Sequence, residues 1–223
     1  MRIRDLSLPA TDPAALAAYF AYVLQMDVDG GAIVIGWSTI HPVPADSPST
    51  GSVHLAFTVP DNRFAEAMAW LRERSPLQRS PDGKEYFALE SNWKSQSVYF
   101  TGPDGLILEL IGRKRLPHSS HTGPFHGSEI TCLSEVGLPV NEVLDTQCRL
   151  ADAFGLTPLS QPSDAFAPMG DDEGLLIVVD AARRWFPEQR DLPTAVGIEV
   201  AIEAAQRGGK VADAQQRWRC ISL

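Results

Sequence analysis

Residues 52–61 read SVHLAFTVPD and residues 98–111 read VYFTGPDGLILELI. In the first stretch Val53, Leu55, Phe57 and Val59 alternate with His54, Ala56 and Thr58. That period of two predicts a strand with an apolar face toward a core and a small, polar face on the other side. Pro60-Asp61-Asn62 then opens a helix over 62–74, with Phe64, Ala67, Met68 and Leu71 on one side. In the second stretch, strands at 97–101 and 106–111 flank the turn Gly102-Pro103-Asp104-Gly105, whose residues suit a tight reversal. With another strand at 86–90 the order becomes strand, helix, three strands.

The flanking segments repeat this order. Upstream, a strand at 3–9 precedes Asp12-Pro13, a capping carboxylate followed by proline at the first helical position. The helix runs over 14–26, strands follow at 32–37 and 38–43, and a Pro/Ser-rich loop extends to residue 51. Downstream, SEVGLPVNEV (134–143) aligns with VHLAFTVPDN (53–62), so Glu135 falls at the position of His54. A helix at 143–154 and strands at 165–169 and 175–179 complete a third copy; strands at 194–202 and 218–223 follow. The internal repeat is the strongest architectural signal in the chain. Three modules suggest one complete pair over 1–115, a Pro/Gly/Ser/His-rich linker at 116–128, and an incomplete second half over 129–223. An unpaired third module leaves an open sheet, to be covered by the terminal strands or by a second copy in a homodimer.

Composition narrows the class. The 223 residues carry 19 basic and 28 acidic side chains, a net charge of −9, which disfavours nucleic acid or an anionic membrane as partner. At 44% hydrophobic the chain has the apolar mass for a core, yet no apolar run is long enough to span a membrane. Cys132, Cys148 and Cys220 are odd in number and lack CxxC spacing, so they read as reduced thiols of a cytoplasmic protein. A small-molecule ligand or substrate is the partner these features favour. GxSxG, P-loop, GxGxxG and HExxH motifs are absent.

VHLAFTVPD, the amphipathic helix after it and VYFTGPDGLILELI resemble the vicinal oxygen chelate superfamily, which includes glyoxalase I, extradiol dioxygenases and bleomycin-binding proteins. The resemblance implies an α+β fold of paired βαβββ modules whose curved sheets enclose a cavity. It also implies a divalent metal, Fe, Zn, Mn or Ni, held by side chains from the first and last strand of each module. Carried over by position, His54 and Glu109 are metal ligands, joined by Asp5 and His41 from the first module. Glu109 is the catalytic candidate as well. The implied chemistry is bidentate chelation of two adjacent substrate oxygens, by a lyase of the glyoxalase kind or a ring-cleaving dioxygenase. Asp5 stands where a histidine is common, which counts against ring cleavage. The resemblance equally accommodates a non-catalytic drug- or metabolite-sequestering protein without metal, in which Glu109 pairs with an arginine and His41 is an ordinary loop-edge residue.

Trp93, Lys94, Thr58 and Tyr99 are the substrate-binding candidates, on the cavity-facing strands or the loop entering them. The third module reads as metal-free, because aligning LLIVV with LILEL puts Val178 where the second module has Glu109. His118, His121 and His126 lie in the linker and read as solvated. Arg183-Arg184-Trp185-Phe186 is open between an anion or partner contact and packing at a strand end.

Overall fold

The computed structural model of the chain describes residues 1–45 and 52–223. Most of the Pro/Ser-rich loop expected to end the first module therefore lies outside the described residues. The first module comprises β1 (Arg2–Ala10), α1 (Pro13–Tyr22), β2 (Asp27–Asp29), β3 (Ala32–Ile35) and β4 (Ser38–Pro44). The second comprises β5 (His54–Val59), α2 (Phe64–Arg72), β6 (Phe87–Leu89), β7 (Ser95–Thr101) and β8 (Ile107–Arg113). The third has β9 (Cys132–Val140), α3 (Val143–Phe154), β10 (Phe166–Asp171) and β11 (Gly174–Asp180). Three further strands, β12 (Ile198–Glu203), β13 (Lys210–Ala212) and β14 (Trp218–Ser222), end the chain.

Local chemistry accounts for the helix ends. Asp12 accepts from the Ala15 amide at 3.0 Å, with Pro13 at the start of α1. The helix stops at Tyr22, short of the expected residue 26, and Gln25 at φ 53° takes the chain out of the helical conformation before β2. Gly155 closes α3 in the left-handed conformation (φ 69°) that glycine adopts without a Cβ penalty.

The strands form two seven-stranded sheets, and these do not follow the expected division of the chain. One sheet has the order β13-β14-β12-β1-β4-β3-β2; the other has β10-β11-β9-β5-β8-β7-β6. The first two modules therefore do not pair with each other. The open edge of β5 takes β9 antiparallel, so modules two and three share a sheet. That leaves the edge of β1 for β12, also antiparallel, with β14 parallel beyond it. Both sheets cross the expected boundary at 116–128. The third module is consequently paired within the chain, which removes the open sheet that called for a second copy. Segment 116–128 is also partly packed: Phe125 is buried against Trp70, with ring centroids 5.2 Å apart.

The two sheets share one core. Ile3, Leu6 and Leu8 of β1 cluster with Leu55 and Phe57 of β5, Leu108 and Leu110 of β8, and Leu176 and Val178 of β11. Phe20 of α1 meets Phe57 edge-on at 5.8 Å. Between the sheets, the Ser38 hydroxyl donates to the Ile3 carbonyl at 2.7 Å and accepts from the Leu133 amide at 3.2 Å. Gly36 is confined by the same approach, since a Cβ there would stand 1.9 Å from the Thr131 carbonyl oxygen. The opposite face of the second sheet carries a separate apolar cluster of Ile107, Leu175, Ile177, Val179 and Trp185. Period-two alternation thus assigns one face of that sheet to the core and the other to a cavity. No helix among the described residues is long and apolar enough to cross a membrane.

Candidate metal centre and cavity

Register brings the polar residues of the cavity face together. In the parallel ladder of β5 and β8, Ala56 lies beside Glu109 and His54 beside Ile107. In the antiparallel ladder of β5 and β9, the same Ala56 faces Glu135. His54, Glu109 and Glu135 therefore converge around a residue with only a methyl group. His54 Nε2 is 3.0 Å from Glu109 Oε2, and both side chains are buried. One ligand atom from each of His54, Glu109 and Glu135 lies within 4.8 Å of the others. No other described residues of these types form such a group.

Glu135 also accepts a hydrogen bond from Nη2 of Arg113, whose side chain has no exposed surface. Burial and the Glu109 carboxylate push the Glu135 carboxyl upward, outweighing the opposing pull of Arg113 and His54. Burial, then Glu109, likewise push the Tyr99 phenol well above its ordinary value, so it stays a neutral proton donor at physiological pH. His54 Nδ1 and Arg113 Nε and Nη1 are buried without a hydrogen-bond partner.

His54, Glu109, Glu135 and Tyr99 line a cavity of about 670 Å³. Phe87 and Tyr99 pack against Phe186 at 4.5 and 5.3 Å, all three rings edge-to-face. Trp93, in the loop between β6 and β7, reaches Phe166 of β10 at 6.3 Å, so the two edges of the curled sheet meet over the space. Trp185 lies 5.2 Å from the His54 ring and donates its indole N–H to the Ser52 carbonyl at 2.8 Å. Gly137 makes room for it: a Cβ there would stand 2.7 Å from the Trp185 ring. Segment 181–197 therefore supplies Arg183, Trp185 and Phe186 to the lining.

The predicted site residues divide accordingly. His54, Glu109, Trp93 and Tyr99 line this cavity. Thr58 is buried farther along β5, with Cys132 as a side-chain neighbour, and is not part of the lining. Lys94 points to Glu90, with Nζ 3.8 Å from the carboxylate, whereas Lys84 reaches the lining. Asp5 and His41 do not join His54 and Glu109. They lie on the first sheet, where His41 Nε2 is 3.1 Å from Asp5 Oδ1 and both side chains are about half exposed, 48% for Asp5 and 45% for His41. The register there repeats that of the second sheet: Ser7 sits beside His41 and opposite Glu199, as Ala56 sits beside Glu109 and opposite Glu135. Glu199 is paired with Arg219 instead of converging on Asp5 and His41.

The third module, expected to be metal-free, contributes Glu135 to the group. The alignment that placed Glu135 with His54 carried this signal; the assumed pairing of modules hid it. The expected equivalence of Val178 to Glu109 is one residue out. Gly137 pairs with Ile177 as Ala56 pairs with Glu109, and Val178 faces the core. The fourth strand position is aliphatic in either register, but Ile177 is the residue that meets the cavity.

Comparison with solved structures decides the fold. A "putative dioxygenase" from Bacillus subtilis subsp. subtilis superposes with a TM-score of 0.61 at 18% identity, covering 91% of this chain and 70% of that one. Glyoxalase I from Zea mays superposes with a TM-score of 0.58 at 14% identity, covering 99% and 91%. The chain has the vicinal oxygen chelate fold. No family model and no curated protein sequence matches it. Within the vicinal oxygen chelate fold, the cavity and its buried His/Glu/Glu group occupy the sheet shared by modules two and three.

Proposed function

We propose that this protein is a divalent-metal-dependent enzyme that acts on a small molecule through two adjacent oxygens, with His54, Glu109 and Glu135 holding the metal. The observation that carries this reading is the convergence of the three buried ligand atoms within 4.8 Å on one face of one sheet. One imidazole and two carboxylates suit Fe, Zn, Mn or Ni by donor chemistry. Two buried carboxylates side by side, one pushed toward its neutral form, make a set that a cation would relieve. When bound, the ion would supply an electrophile for an oxygen pair and stabilise negative charge developing there.

The chain's own residues complete the site. Arg113 holds Glu135 in place and adds a fixed positive charge beneath it. Counting two carboxylates, one divalent cation and one guanidinium leaves one net positive charge, which favours an anionic oxygen pair. Glu109, beside Tyr99, is placed to accept a proton, and the neutral Tyr99 phenol to donate one. Trp93, Phe166 and Trp185 keep water from the buried end.

Two observations favour a second reading, a metabolite-sequestering protein without metal. Ile177 meets the cavity at the fourth strand position, and Arg113 already serves as a cation for Glu135. Metal analysis of protein purified without chelator separates the two. The enzyme reading expects stoichiometric metal that disappears in the His54→Ala/Glu109→Ala variant. Metal absent from the parent even after reconstitution supports sequestration.

A further inference from the structure

We propose that the cavity selects flat aromatic ligands carrying an anionic group, and that Arg183 is the residue that recognises the charge. This rests on the cavity being the ligand site and deepens that reading by naming the ligand class.

The aromatic part follows from the walls. The edge-to-face cluster of Phe87, Tyr99 and Phe186 comes from β6, β7 and the segment after β11. Trp93 and Phe166, with ring planes only 36° apart, add a second aromatic pair to the lining from the two sheet edges. Aromatic rings from both edges of the sheet lining one space of about 670 Å³ favour a planar π-system over a branched aliphatic chain of equal volume.

The anionic part follows from the cations. Among the described residues, Lys84 and Arg183 line the cavity and Arg113 lies behind Glu135; Lys84 and Arg113 have partners. Lys84 is 2.8 Å from Asp82, and Arg113 is bonded to Glu135. Arg183 is different: it lines the cavity, is half-buried, and has no carboxylate within salt-bridge distance among the described residues. Its guanidinium instead lies 5.0 Å over the Phe166 ring, beside the position an aromatic ligand would take. Partial desolvation without a counter-charge weakens its hold on its proton, as expected of a cation awaiting an anion. A guanidinium recognises a planar carboxylate through two parallel hydrogen bonds, a geometry that a lysine does not offer.

Binding of naphthalene-2-carboxylate, its neutral carboxamide and cyclohexanecarboxylate, measured by titration calorimetry on metal-free and metal-loaded protein, tests the proposal. The expected order is carboxylate over carboxamide, and naphthalene over cyclohexane. Arg183→Met should weaken the naphthoate by about tenfold or more and leave the carboxamide unchanged, with or without metal. Arg183 sits half-exposed in a turn, so circular dichroism of the variant should match the parent. Equal affinity for acid and amide, an unaltered naphthoate affinity in Arg183→Met, or no binding of any probe would each overturn the proposal. Metal content is read on the same samples. Absence of metal with naphthoate selectivity intact counts against the metal reading alone; metal present without charge selectivity counts against Arg183 alone.

Discussion

Arg113 and Glu135 form a buried ion pair beside the cavity that Glu135 lines, the arginine wholly inaccessible and the carboxylate 4% exposed. The pair joins the last strand of the second module to the first strand of the third, on either side of β5. It therefore holds together the two halves of the candidate metal centre.

Removing one partner of such a pair leaves the other charge stranded. Arg113→Met should destabilise the metal-free protein by about 3–5 kcal/mol at neutral pH in urea unfolding. The double variant Arg113→Met/Glu135→Leu should recover most of that loss, because two apolar side chains replace both charges. The single variant's deficit should also depend on pH. Glu135 is already pushed above its unfolded value, and losing Arg113 pushes it further. A carboxyl with a raised folded pKa costs stability as pH climbs past its unfolded value, so the deficit should shrink in acid.

Gly137 makes room for Trp185. Gly137→Ala would place a Cβ 2.7 Å from the indole and 3.3 Å from His54 Cβ. The expected outcome is displacement of Trp185 from His54, seen as altered tryptophan emission, and a loss of about 1–3 kcal/mol from overpacking. Unchanged emission and stability would show that the indole does not sit over His54.

The cysteines should separate sharply in thiol titration. Cys148 is exposed and should react in the native protein. Burial pushes Cys132 to about 11 and Cys220 higher still. Both therefore remain thiols at pH 8 and should react only on unfolding. The Cys148→Ser variant should show no fast-reacting thiol.

Arg63 and Glu129 tie α2 to the segment before β9, with Nε 2.9 Å from Oε2. The Arg63 hydrogen bond holds the Glu129 carboxyl below its ordinary value. A depressed carboxyl contributes stability above its unfolded value, near pH 4.3, that is lost as pH falls through the folded one. Arg63→Met should thus lower stability at neutral pH and flatten the acid limb of the stability profile.

Much of the fold is legible in the chain, and for local reasons. Asp12-Pro13 marks the start of α1, and the alternation in SVHLAFTV separates Leu55 and Phe57 in the core from His54 in the cavity. The pairing of modules is not legible in the same way. It depends on which strand takes the open edge of β5, and β1 and β9 both carry suitable alternating patterns. Alignment by position correctly made Asp5 and His41 counterparts of His54 and Glu109, yet counterparts on two different sheets do not share a site. Arg183, Trp185 and Phe186 were visible as a cationic-aromatic run, but only the return of segment 181–197 over the sheet shows what they face. Val178 against Ile177 shows the limit of register: a slip of one residue exchanges core for cavity.

One metal centre should form from modules two and three through His54, Glu109 and Glu135. Elemental analysis after reconstitution, comparing the parent with Glu135→Ala and with Asp5→Ala/His41→Ala, is the decisive measurement. The predicted result is stoichiometric divalent metal in the parent and in Asp5→Ala/His41→Ala, and its loss in Glu135→Ala. Metal retained in full by Glu135→Ala, or lost from Asp5→Ala/His41→Ala, would contradict it.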